Sequence, residues 1–263
     1  MHISVIMVII HKIFFLELNW GNKMNSKIKK WLKRIVIGLT SVFLLLVIGL
    51  FIYSSGSYEA LAEMSDQIAL IDDTEVTIEE SYNSIKYTVE DPLKNIIFVP
   101  GGLVEPDSYS YLALSLAVEG YNVTIIKALF NLAIITPNQA ARFIDDSLDN
   151  VIIGHSLGGV VASMVASKND EITQIVMMGS YPIKDVTAKK ALLITAEFDL
   201  GMDQAEFDEH LKFVTEETVN HYIEGGNHAQ FGWYGSQKGD GDATISTLTQ
   251  QNLVIQYILD FIA

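Results

Sequence analysis

Residues 150–159 read NVIIGHSLGG, and this stretch decides how the whole chain is interpreted. Its apolar first half predicts a short buried strand, and the small and apolar residues 157–167 predict a helix. Between them lies a G-x-S-x-G pattern, which is typical of a sharp strand-to-helix turn that exposes a reactive hydroxyl. Gly154 and Gly158 suit such a turn because neighbouring backbone leaves no room for side chains there. Ser156 is therefore predicted to be a nucleophile.

A serine nucleophile needs a histidine base and a carboxylate that orients the base, and in this architecture they follow in the order serine, acid, histidine. The apolar run 190–196 predicts a strand that leads into Glu197 and Asp199. We assign Asp199 as the acid. Glu197 and Asp203 remain alternatives, because the sequence does not say which carboxylate points toward the histidine.

The candidate base lies in a glycine-rich loop, residues 224–232, that follows an alternating, strand-like segment. A histidine in such a loop can reach the serine while its neighbours hold it in place, so His228 is predicted to be the base. His210 and His221 lie in helix-like and strand-like segments and are interpreted as structural. His155, inside the turn, is expected to face away from the substrate.

The remaining part of the site is a pair of backbone donors for a developing oxyanion. Residues 95–99 predict a buried strand that runs into Pro100-Gly101-Gly102-Leu103, a turn whose glycines let backbone approach a substrate oxygen. The N–H of Leu103, or that of Gly102, is expected to pair with the N–H of Leu157 at the start of the helix.

These segments resemble the alpha/beta-hydrolase superfamily and are most similar to its small fold-5 family. The resemblance extends from about residue 85 to the end of the chain, and it rests on the motifs at 100–102, 105–109, 154–159 and 225–235. It implies a hydrolase in which the nucleophile, acid, base and two backbone donors are Ser156, Asp199, His228, Leu103 and Leu157. One departure is that Asp199 lacks the preceding glycine that such proteins often have.

The front of the chain predicts a membrane anchor. Residues 35–53 form an uncharged apolar run of 19 residues, long enough to cross a hydrocarbon core of ~30 Å as a helix. Basic residues precede the run and acidic residues follow it, which places residues 1–34 in the cytoplasm and the rest outside. The alternative is a signal peptide cleaved near residues 54–57. We also expect residues 1–23 to be an upstream extension, because Met24 precedes a lysine-rich stretch.

Composition limits the partners and the chemistry that can be expected of the chain. From residue 35 onward the chain has 10 Lys and Arg against 31 Asp and Glu, a difference of −21, which disfavours nucleic acid as a partner. It has no cysteine, which excludes disulfides and thiolate chemistry. We expect residues 54–74 to be a linker and residues 75–263 to be one catalytic domain, because this length suits a single α/β unit.

Within that domain, strand-like and helix-like segments alternate. They predict an α/β fold with a mostly parallel central sheet flanked by helices, preceded by the single transmembrane helix. The segments after the leading strands 75–80 and 84–89 include strands at 122–126, 172–178 and 219–223, and helices at 108–119, 137–146, 205–214 and 244–262. The link 179–184 is too short for a capping subdomain, so a lid is expected to be small or absent, with residues 128–135 walling the pocket.

No cofactor or metal site is predicted. The run Gly239-Asp240-Gly241-Asp242 lacks the spacing of a calcium loop and is interpreted as a turn before the last helix. The expected function is hydrolysis of an ester or related acyl bond in a small-molecule substrate. Alternatives are acyl transfer by the same residues, or a non-catalytic binding module that retains the fold.

Overall fold

The computed structural model describes residues 25–263, and the chain divides into two compact units at Ser55. The described part of the first unit is one long helix, α1 (Ser26–Ser54), which the side chain of Asn25 caps by accepting from the N–H of Lys27. The helix is long and apolar enough to cross a membrane. It begins earlier than the predicted span 35–53 because the basic residues before that span are also helical. The expectation for residues 1–23 lies outside the described residues.

The second unit, Gly56–Ala263, is built on one sheet of eight strands. The strands are β1 (Thr77–Glu80), β2 (Ser84–Thr88), β3 (Asn95–Val99), β4 (Asn122–Ile126), β5 (Asn150–His155), β6 (Ile172–Met178), β7 (Lys190–Ala196) and β8 (Val219–Ile223). Their spatial order is β1-β2-β4-β3-β5-β6-β7-β8. β2 pairs antiparallel with both β1 and β4, and β3 to β8 run parallel, so the predicted α/β class with a mostly parallel sheet is confirmed.

The central strands are mostly apolar on both faces because both faces of the sheet are covered. One face packs against helices α3 (Ser110–Val118) and α6 (Thr247–Ile262), with Phe98 and Ile153 fully buried between sheet and helices. The other face packs against α4 (Leu157–Ala166), where Ile97 and Ile152 meet Val161. Two shorter helices, α2 (Glu63–Ile68) and α5 (Gln204–His210), complete the unit. The carboxyl ends of β5, β7 and β8 thus open on one edge of the sheet, which is where a site forms in this architecture.

Several helix predictions are too long. The predicted helix 137–146 is a 3₁₀ helix, Pro137–Phe143, followed by extended backbone at Ile144. The side-chain amide of Asn95 donates to the Phe143 carbonyl, so this carbonyl is used by the sheet and not by a further helical turn. The helix predicted at 205–214 ends at His210 and continues as a 3₁₀ turn, Leu211–Phe213.

The second unit starts at Gly56 and not at residue 75, so most of the expected linker 54–74 is part of the compact unit. Tyr58 forms an isolated parallel bridge with Val104, and its N–H donates to the Leu103 carbonyl at 2.7 Å. Met64 on α2 is buried. These contacts join residues about 45 positions apart, which local sequence patterns do not reveal.

The connection from β6 to β7 consists of residues 179–189 and carries no helix. A capping subdomain is therefore absent from this connection, as the length of the segment predicts.

Candidate active site

Ser156 occupies the turn between β5 and α4 in a strained backbone conformation, with φ 52° and ψ −124°. Its N–H donates to the Met178 carbonyl at 2.9 Å, and its carbonyl accepts from the Ser180 hydroxyl at 2.7 Å, so the next strand holds the turn. A Cβ at Gly158 would lie 2.1 Å from the Val99 carbonyl oxygen, which is why no side chain is tolerated there. A positive φ at a non-glycine residue is costly and concentrates at functional sites.

Asp199 and His228 are brought together from the loops after β7 and β8. Asp199 Oδ1 lies 2.8 Å from His228 Nδ1, and the side chains are 0% and 2% exposed. The N–H of Gly201 donates to the same carboxylate oxygen at 3.0 Å. Gly179, at φ 52°, passes so close that a Cβ would lie 2.8 Å from Asp199 Oδ2 and 2.9 Å from His228 Nδ1. The pair is thus enclosed by backbone and fixed in orientation.

The two alternative carboxylates have other partners. Glu197 is exposed, and its Oε2 accepts from the N–H of Gly225 at 2.8 Å. Asp203 caps α5 by accepting from the N–H of Glu206 at 3.0 Å. Among the described residues, Asp199 is therefore the carboxylate that bonds to His228.

Ser156 Oγ makes no hydrogen bond to His228 within the described part of the chain. Such bonds are often long in free enzymes and tighten when a substrate binds. The ring of His155, the residue before Ser156, lies with its centroid 4.7 Å from that of His228. The histidine loop and the serine turn are therefore in direct contact.

In the loop after β3, the structure favours Gly102 over Leu103 as the candidate oxyanion donor. The N–H of Leu103 donates to the Asn131 carbonyl at 2.8 Å, so this predicted donor is already engaged. The N–H of Gly102, the alternative, has no hydrogen-bond acceptor among the described residues. A Cβ at Gly102 would lie 3.0 Å from Leu157 Cδ2 and 3.5 Å from Leu157 Cβ, so Gly102 faces the start of α4. Gly102 and Leu157 are therefore the better candidates for the pair of donors.

Residues 128–135 pack beside this loop, and their predicted place in the wall of a substrate pocket stays a prediction. They form two 3₁₀ turns, Leu129–Asn131 and Ala133–Ile135. Leu132 Cδ2 would lie 3.7 Å from a Cβ at Gly102, and Ile134 is 40% exposed. An apolar side chain of this segment, that of Leu132, therefore lies beside the candidate donor Gly102.

Asp240 lies in the turn predicted before the last helix, and its side chain joins the two loops that carry Asp199 and His228. Its Oδ2 accepts from the N–H of Ala229 at 2.8 Å, and its Oδ1 accepts from the N–H of Leu200 at 3.3 Å. It therefore ties the residue after His228 to the residue after Asp199. The Gly-Asp-Gly-Asp run marks a tight turn in the sequence, but nothing local indicates which loops that turn would join.

His155 and Tyr109 are buried beneath the site. Tyr109 Oη lies 2.8 Å from His155 Nδ1, and the N–H of Gly101 donates to the same hydroxyl at 3.0 Å. Burial holds the pKa of His155 well below 6.5, with a further lowering by His228. Burial also raises the pKa of Tyr109. Both side chains are therefore neutral near pH 7.

Within residues 25–263, no cluster of three or more histidine, cysteine or acidic side chains is arranged to hold a metal ion.

A mostly parallel sheet with a strained serine after β5, an acid after β7 and a histidine after β8 defines a protein of the α/β-hydrolase class. The chain belongs to the alpha/beta hydrolase family, whose sequence model matches residues 95–252. This range includes Ser156, Asp199 and His228. No curated protein shows significant sequence similarity to the chain.

Solved structures with the same fold are distant in sequence. A CIB-like hydrolase from Thermoplasma acidophilum is 14% identical with a TM-score of 0.53, and the match covers 70% of this chain and 99% of that one. A dienelactone hydrolase from Anabaena variabilis is 13% identical, with a TM-score of 0.52 and coverage of 71% and 99%. A dienelactone hydrolase-like promiscuous phosphotriesterase from metagenomic libraries is 12% identical, with a TM-score of 0.54 and coverage of 71% and 99%. These structural similarities show a shared fold. Membership of the alpha/beta hydrolase family supports hydrolase activity in general.

Proposed function

We propose that the chain is a membrane-anchored serine hydrolase that cleaves an ester or related acyl bond in a small-molecule substrate. The observation that carries the proposal is the buried hydrogen bond of 2.8 Å between Asp199 and His228, beside a turn that holds Ser156 at φ 52°. A strained serine next to an oriented histidine is what nucleophilic catalysis requires.

In the proposed mechanism, Ser156 Oγ attacks the carbonyl carbon while its proton passes to Nε2 of His228. Asp199 accepts from Nδ1, so it fixes the tautomer that leaves Nε2 free and stabilises the imidazolium that forms. The N–H groups of Gly102 and Leu157 stabilise the tetrahedral oxyanion. The intermediate expels an alcohol, which takes the proton from His228, and leaves an acyl group on Ser156. Water then attacks this ester with His228 again as base and releases the acid.

The surroundings of the oxyanion loop suggest an apolar acyl group. The atoms nearest to a Cβ built at Gly102 belong to the apolar side chains of Leu157 and Leu132. The excess of acidic residues after residue 35 disfavours polyanionic substrates.

The proposed location is a membrane with the N-terminus in the cytoplasm and the hydrolase unit outside. The supporting features are the length and apolar character of α1 and the basic residues in its first turns. A cleaved signal peptide would have the same composition and is the alternative.

Acyl transfer to another acceptor would use the same residues and remains the alternative within the enzyme class. A non-catalytic binding module is the alternative from another class, because fold does not determine function. The orientation of His228 by Asp199 favours an enzyme, since a binding module does not need a base held in one tautomer.

The test is hydrolysis of short- and medium-chain p-nitrophenyl esters by the full-length protein in detergent. Wild type is compared with Ser156→Ala, His228→Ala and, as a matched control, Ser167→Ala, which removes an exposed hydroxyl bonded to the Met164 carbonyl at the other end of α4. We expect activity in the wild type and a loss of about 10⁴-fold or more in the first two variants. Equal activity in wild type and Ser156→Ala would refute a serine mechanism, and faster release with an added alcohol would favour acyl transfer.

A further inference from the structure

Tyr109 and His155 form a buried polar link that the mechanism above does not use. They are 1% and 0% exposed, and their side chains are joined at 2.8 Å. The N–H of Gly101 donates to Tyr109 Oη, so the tyrosine hydroxyl has its own proton available for His155 Nδ1. His155 then carries its proton on Nε2. This gives a directed chain of hydrogen bonds from the loop after β3 to the residue before Ser156.

The link contacts all three parts of the site. Gly101 directly precedes Gly102, the candidate oxyanion donor, and a Cβ at Gly101 would lie 3.0 Å from His155 Nδ1. The ring of His155 packs against that of His228 with centroids 4.7 Å apart and planes tilted by 44°. A shift of His155 would therefore move the oxyanion loop, the serine turn or the histidine base.

The polar character of this pair is costly. His155 Nε2 is buried and has no partner with ordinary hydrogen-bond geometry within the described residues. The His228 backbone raises the pKa of His155, but burial outweighs this effect. Burying a polar atom without a partner destabilises a fold, and apolar side chains would fill the same volume without that cost. The pair is thus poorly explained by packing alone, and such exceptions in native structures require a reason.

We propose that Tyr109 and His155 are positioning residues, which hold the Gly102 N–H and the ring of His228 in the geometry needed for reaction at Ser156. This inference rests on the proposed function. Neither residue touches the substrate. Each acts through another group, Tyr109 through Gly101 and His155 through the ring that it supports.

The first test compares Tyr109→Phe with wild type in full-length protein, using a p-nitrophenyl ester. Tyr111→Phe is the matched control, because it also removes one tyrosine hydroxyl. In wild type this hydroxyl is exposed and donates to Asn252 Oδ1 at 2.9 Å. We expect Tyr109→Phe to lower kcat about 10- to 100-fold, as small misplacements of catalytic groups do, with little change in KM. Tyr111→Phe should remain within about twofold of wild type.

A second measurement separates positioning from stability. Affinity for an aryl boronic acid, which mimics the tetrahedral intermediate on Ser156, should fall in Tyr109→Phe in proportion to kcat/KM, as expected for lost transition-state binding. His155→Gln should behave similarly, and the double variant Tyr109→Phe with His155→Gln should be little worse than either single variant, because the two residues act as one unit.

The positioning role would be overturned if Tyr109→Phe kept the wild-type kcat. It would also be overturned if the fold-loss of kcat in the double variant equalled the product of the losses in the two single variants. Failure of both single variants to fold would also overturn it, because the pair would then serve stability alone. A wild type that neither hydrolyses esters nor reacts with a fluorophosphonate would instead refute the proposed function, and with it the reaction that the pair serves.

Discussion

Asp199 Oδ1 lies 2.8 Å from Nδ1 of His228, although the two residues are 29 positions apart and follow different strands. Because Nδ1 is taken by the carboxylate, Nε2 is the ring nitrogen left for the proton exchange with Ser156 in the proposed mechanism. Both side chains are almost completely buried, so the hydrogen bond is protected from competing water. The orientation of the histidine is therefore a property of the fold and does not need a substrate to create it.

Replacing Asp199 tests this relationship. We expect Asp199→Asn to lower kcat about 10⁴-fold, because an amide can donate to Nδ1 and favour the wrong tautomer of His228. Glu197→Gln and Asp203→Asn are the controls and should keep most of the activity, since neither carboxylate contacts the histidine. Steady-state kinetics with a p-nitrophenyl ester would check this. A large loss in Glu197→Gln, with activity retained in Asp199→Asn, would assign the acid differently.

Asp240 is predicted to matter for rate although it is not part of the proposed catalytic group. Asp240→Ala removes the acceptor for the N–H groups of Ala229 and Leu200, so the loops that carry His228 and Asp199 should loosen. We expect kcat to fall about tenfold or more with a smaller change in KM. Asp242→Ala, at an exposed position in the same turn, is the control and should match wild type. Equal kcat values for the two variants would contradict the role given to Asp240.

The depressed pKa of His155 predicts a pH-dependent stability. Its pKa in the fold lies well below 6.5, so the unfolded chain binds a proton below pH 6.5 that the folded chain does not. The free energy of unfolding should therefore fall with falling pH, by up to ~1.4 kcal/mol per pH unit from this residue. His155→Gln lacks this contribution. Urea unfolding of both proteins at pH 7, 6 and 5 should show that the free energy of unfolding of wild type minus that of His155→Gln decreases toward low pH, whereas a constant value would contradict burial of a neutral His155.

The proposed topology can be tested by thiol labelling, because the chain has no cysteine of its own. In intact expressing cells, a membrane-impermeant maleimide should label Asp242→Cys, and it should label Ser26→Cys only after permeabilisation. Labelling of Ser26→Cys in intact cells would reverse the topology. A mature chain that lacks residue 26 and leaves the membrane fraction would establish a cleaved signal peptide.

Much of the sheet could be predicted from sequence because its central strands are buried on both faces. Runs such as Asn95–Val99 and Asn150–His155 are mostly apolar for that reason, and turns with glycine or polar residues follow them. The G-x-S-x-G turn was also readable, since close backbone contacts demand glycine at Gly158. The alternation of these strands with helix-like segments predicts the α/β architecture.

Other features depend on contacts between distant parts of the chain. Two tertiary pairings have no local pattern that indicates them. One is the hydrogen bond from the Leu103 N–H to the Asn131 carbonyl, and the other is the bridge from Tyr58 to Val104. The choice of Gly102 over Leu103 as a candidate donor therefore required the structure. Asp240 was likewise missed, because its turn has no feature that tells which N–H groups it will bind.

The most direct test of the account is reaction of the full-length protein with a fluorophosphonate, followed by mass spectrometry of its peptides. We expect one phosphonylated residue, Ser156, with no adduct in Ser156→Ala and strongly slowed labelling in His228→Ala, because the hydroxyl then lacks its base. An adduct on a different serine, or no adduct on a folded wild-type protein, would contradict the claim that this chain is a serine hydrolase.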